Sequence, residues 1–95
     1  MENVGKYLPI GSVVILKGGK KRVMVTGFLG KAVEDDTKVF DYIGCLFPEG
    51  IVAPDSNVLF NHANIDKIFF LGYSDAAQKE FAEILKKYDE ETNKN

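Results

Sequence analysis

Ninety-five residues carry one hydrophobic core and leave no room for a second. A 45% apolar fraction with seven Phe and four Tyr builds that core without a metal or disulfide, and Cys45, the lone cysteine, cannot form an internal bridge. Twelve Lys and Arg against 14 Asp and Glu leave a net charge of −2, which argues against nucleic acid as the main partner because phosphate neutralisation needs a basic surface.

Residues 1–7 read as a loose lead-in. MENVGKYLPIG lacks the apolar stretch of a signal peptide, and no apolar run approaches the roughly 20 residues that span a bilayer, so the expected location is cytoplasmic. A β domain is expected over 8–73. Pro9 and Gly11 set a turn before a first strand at 12–17, and a second strand follows at 22–29. Between them Lys17-Gly18-Gly19-Lys20 predicts a tight hairpin of type I′, which needs positive φ at both central residues. Both strands are apolar on two faces, as in a strongly bent sheet whose outside has extra cover. Gly27 and Gly30 point to a bulge or sharp bend at the end of the second strand.

The polar stretch Lys31 to Lys38 reads as a loop with an acidic centre at Glu34-Asp35-Asp36. A third strand is predicted at 39–47, then a turn at Pro48-Glu49-Gly50 and a short fourth strand at 51–53. Pro54-Asp55-Ser56-Asn57 is a second turn cluster. Val58-Leu59-Phe60 runs on into Asn61-His62-Ala63-Asn64, read as one helical turn rather than strand. The last strand is expected at 65–73.

The period then changes. Asp75-Ala76-Ala77-Gln78 fits a helix cap. Ala77, Phe81, Ile84, Leu85 and Tyr88 recur along one stripe of an amphipathic helix over 74–89, with a polar tail at 90–95. The fold class expected is therefore α+β and mostly β. It is a five-stranded, strongly bent antiparallel sheet or SH3-like small barrel with one C-terminal helix.

Each motif that suggests chemistry has a plainer reading. His62, the only imidazole, lies among turn residues with no partner nucleophile in view, so it reads as a turn histidine bonding local backbone. With Cys45 it also falls short of a thiolate–imidazole zinc site. Glu34, Asp35 and Asp36 lack the spaced carboxylates and central glycine of a calcium loop. Gly18-Gly19-Lys20-Lys21 precedes no helix, so it lacks the N-terminus that would cradle phosphate. Phe28, Phe40, Tyr42, Phe60, Phe69 and Phe70 suggest a base-stacking platform, yet so many rings in a small domain are needed for its core. No catalytic, cofactor or metal site is expected, and the chain does not read as an enzyme. The helix stripe is the candidate docking surface: Phe81, Ile84, Leu85 and Tyr88 meet either a protein partner or the chain's own sheet.

YLPIGSVVILKGGKKRVMVTGFLG, KVFDYIGCLFPEGIV, LFNH and IDKIFFLGY together resemble the small bacterial proteins grouped as domain of unknown function 4176. The matching residues are Leu8-Pro9-Ile10-Gly11-Ser12, Leu16-Lys17-Gly18-Gly19, Asp41-Tyr42, Pro48-Glu49-Gly50, Phe60-Asn61-His62 and Phe70-Leu71-Gly72-Tyr73. The resemblance covers about Tyr7 to Tyr73 and brings no catalytic residues with it. It implies a Gram-positive source and genes near type VII secretion systems and their LXG toxins. The function this implies is a non-catalytic, chaperone-like accessory that binds a secretion substrate, a toxin or a component of the machinery. A second copy of the chain is a further candidate partner. The alternatives are an immunity protein for a neighbouring LXG toxin, leaning on Glu34 to Asp36, and a small nucleic-acid-binding β-barrel using Lys17, Lys20, Lys21 and Arg22.

Overall fold

Two long strands form the middle of the molecule, β2 (Arg22–Lys31) and β3 (Val39–Phe47), paired antiparallel from Arg22↔Phe47 to Lys31↔Val39. The computed structural model describes residues 7–32 and 37–92, with side chains through Glu90. β1 (Val13–Leu16), four consecutive β-branched or aliphatic residues, flanks β2. β4 (Val58–Phe60) and β5 (Ile65–Phe70) complete an antiparallel sheet in the order β4-β3-β2-β1-β5. The edge strands β4 and β5 do not pair, so the sheet is bent and open, not a closed barrel.

Three sequence expectations change. The hairpin between β1 and β2 is not type I′. Its loop runs over 17–21, with the Gly19 N–H donating to Leu16 O at 2.9 Å. Of the two glycines only Gly18 has positive φ, at 77°, the pattern of a type II turn. The Lys17 N–H donates to Asn64 O, which draws the end of β1 toward β5 before the chain can turn back.

The fourth strand is 58–60, not 51–53. Ile51 and Val52 are exposed, whereas Phe60 is buried and stacks on Tyr42 with ring centroids 5.0 Å apart. Pairing Phe60 with Tyr42 buries two large rings, and Ile51-Val52 offers no equivalent gain. The helical turn expected at 61–64 is present, as a single 3₁₀ turn at His62–Asn64. Tyr7, placed by the sequence at the end of a loose lead-in, is buried.

The bulge is where the glycines indicated, with the register slipping between Val25↔Gly44 and Gly27↔Ile43. α1 (Ala76–Thr92) begins as expected, the Gln78 N–H donating to Asp75 Oδ1 at 2.9 Å. It is not long and apolar enough to cross a membrane.

One face of the sheet carries the core: Leu8, Val14, Val23, Val25, Tyr42 and Phe60. α1 lies against this same layer, its Phe81 ring 5.9 Å from that of Phe28. The helix therefore extends the core and leaves the opposite face without a helical cover.

Candidate protein-binding groove

The groove begins with the segment before β1. Tyr7 and Leu8 direct their N–H groups at one acceptor, the Tyr42 hydroxyl, each at 2.9 Å. Both oxygen lone pairs are then engaged, so the Tyr42 proton goes to His62 Nδ1, 2.8 Å away, which acts as acceptor. Asp41 braces the same point. Its Oδ2 accepts the His62 N–H at 2.9 Å, and its own N–H donates to Asn61 Oδ1 at 3.0 Å. Tyr7 sits at a positive φ of 69°, a conformation that bulky residues rarely adopt and that this clamp holds in place.

Burial pushes the Tyr42 phenol up to about 12, partly offset by the two N–H donors. Burial raises the Tyr7 phenol further, helped by the Asp41 carboxylate, to which the Tyr7 hydroxyl makes a long bond of 3.4 Å. Both phenols stay neutral.

A second clamp fixes the next residues. Ser12, fully buried, donates its hydroxyl to Pro9 O at 2.7 Å and accepts the Gly72 N–H at 2.9 Å. Any Cβ at Gly72 would run into the Ile10 carbonyl oxygen, so only glycine permits this approach. With the segment tied at both ends, Tyr7 and Ile10 are presented toward α1.

The space between them is a partly open, nearly all-apolar groove of about 320 Å³. Tyr7, Ile10 and Phe28 form one wall, and Ala77, Phe81, Ala82 and Leu85 the other. Among the described residues that line it, Gln78 and Tyr7 carry the polar groups.

The structure divides the four candidate docking residues. Leu85 is only 4% exposed and belongs to the fold, while Phe81 leans on Phe28 yet remains 48% exposed along the groove. Ile84 and Tyr88 stay outside at 61% and 43%. Tyr7 and Ile10 were missed as wall residues, because only contacts far along the chain place them there. His62 sits in its predicted turn, although its ring partner Tyr42 lies twenty positions away.

The suggested stacking rings scatter. Tyr42 and Phe60 are core, Phe28 packs on it, and Phe69 and Phe70 are exposed. Glu34, Asp35 and Asp36 lie outside the described residues. Among those described, no three His, Cys, Asp or Glu side chains come together as a metal site requires.

The residues that carry the family resemblance converge at these clamps. Leu8 and His62 meet at Tyr42, beside Asp41, and Ser12 meets Gly72. No curated protein and no solved structure matches the chain. The model of a domain of unknown function (DUF4176) matches residues 7–81, from the first clamped residue to the groove aromatic Phe81, and the chain belongs to that family.

Proposed function

We propose that this protein is a non-catalytic, chaperone-like accessory of type VII secretion that binds a secreted substrate through the groove beside α1. The observation that carries this reading is the groove itself: an open apolar channel bordered by Ile10 and Phe81 and continued on the helix by Ile84 and Tyr88. Exposed aliphatic and aromatic groups beside a channel of this kind suit the apolar stripe of an amphipathic helix. The family resemblance implies helical-hairpin substrates, which would offer such a stripe. The rigid clamps at Tyr42 and Ser12 keep the wall preformed, so little ordering is needed on binding.

Calorimetric titration with secreted proteins encoded beside this gene tests the reading. Ile84→Ser with Tyr88→Ser should weaken the complex by at least ~10-fold, the loss of two apolar anchors. Unchanged affinity would remove the groove from the function, and absence of any complex would sink the accessory role.

A further inference from the structure

We propose that the sheet face opposite the core is a second docking surface, one that takes an acidic, amphipathic segment of a partner protein. The registers Arg22↔Phe47, Ile15↔Arg22 and Ile15↔Lys67 place Phe47, Arg22, Ile15 and Lys67 in a row across β3, β2, β1 and β5. Directly paired residues share a face. Val14 and Val23, their neighbours along the strands, point into the core, so this row points away from it.

The two cations are held over rings. The Arg22 guanidinium lies 5.1 Å from the Phe47 centroid and the Lys67 ammonium 5.9 Å from that of Phe69. Such pairs order a cation without neutralising it. Lys17 and Lys20, exposed in the adjoining loop, extend the positive field, while Glu49 pairs with Lys21 and also feels the charge of Arg22. Within an acidic chain this end is therefore locally basic.

The next row on the same face pairs Met24 with Val13 and Val13 with Phe70; Val13 is buried and Met24 half-buried, so Phe70 is the side chain this row offers to a partner. Phe70 is 60% exposed. Rows two residues apart along a strand are separated by about 7 Å. That separation is close to the spacing of side chains four apart on a helix, roughly 6 Å. A partner helix alternating carboxylates with leucines or phenylalanines thus meets cations on one row and Phe70 on the other.

Strand addition is a poor fit at this edge, because β5 carries two register irregularities and an exposed Asp66-Lys67 pair. Single-stranded nucleic acid fits less well, since Arg22 and Lys67 already occupy rings that bases would stack on.

The surface rests on the reading of the chain as a protein-binding domain but not on the groove, and separate variants distinguish the two. The probe is a fluorescent helical peptide with Glu and Leu recurring four apart, followed by anisotropy against its Glu→Gln counterpart and an oligo-dT strand. The Glu peptide should bind most tightly, weaken as salt rises, and lose at least ~10-fold in affinity with Arg22→Glu plus Lys67→Glu. Lys17→Glu with Lys20→Glu, confined to a loop, should lower affinity in the same direction without touching the sheet. Ile84→Ser with Tyr88→Ser should leave the salt-dependent preference for the Glu peptide over the Gln peptide unchanged, whatever the groove contributes through the leucines. Equal binding of the Gln peptide, indifference to both charge reversals, or preference for oligo-dT would overturn the proposal. So would self-association in sedimentation that the same reversals abolish, since the occupant would then be a second copy.

Discussion

The Tyr42 hydroxyl accepts the Tyr7 and Leu8 N–H groups, so Tyr42→Phe leaves two buried donors without an acceptor. The expected cost is about 2–3 kcal/mol, measured by urea denaturation at neutral pH. The same residue sets an alkaline limit. An unfolded tyrosine ionises near ~10, whereas the folded Tyr42 is pushed up to about 12 by burial. Folding favours the protonated form. The stability it contributes is full below the unfolded value and is lost as pH rises through the window up to the folded one, by roughly 2–3 kcal/mol. Tyr7 shifts in the same direction. Denaturation midpoints should therefore fall steeply across that window, and less steeply in Tyr42→Phe; equal slopes would contradict the burial of this phenol. Gly72→Ala drives a methyl into the Ile10 carbonyl, and an expected loss of about 2–3 kcal/mol should appear as a lowered Tm. Gly27→Ala, whose methyl would meet only the Ile43 side chain at 3.5 Å, should cost less than half as much.

α1 is held at its start by Asp75 and along its length by Leu85 and the Phe81–Phe28 contact. A terminal helix packed along one side of the sheet is expected to open before the central strands do. Its amides should exchange with deuterium faster than those of β2 and β3, and identical protection would show that the helix is integral to the core. Asp75→Ala should cost about 1 kcal/mol through the lost cap, and Leu85→Ala about 2–4 kcal/mol through the emptied site. This element was the most legible in the sequence, because its stripe, cap and period are all local. The fourth strand was the least legible. Ile51-Val52 and Val58-Leu59-Phe60 are equally apolar, and only the stacking of Phe60 on Tyr42, eighteen positions apart, selects between them.

The molecule presents two unlike surfaces with the sheet between them: an apolar groove beside α1 and a cationic, aromatic-backed face opposite the core. Variants on the two share no contacts, so the stability changes of Ile84→Ser and Lys67→Glu should add to within about 0.5 kcal/mol in the double variant. A larger coupling energy in the thermodynamic cycle would mean that the surfaces communicate. Local pattern was enough to specify a mostly β domain with a C-terminal helix and the bulge near Gly27. Strand alternation, glycine placement and helical period are short-range consequences of backbone sterics and burial. It could not specify the Tyr42 clamp, the wall formed by Tyr7 and Ile10, or the row from Phe47 to Lys67. Each joins residues far apart in the chain, and which distant groups meet depends on how five strands choose neighbours and register, a choice made by the packing of the whole core.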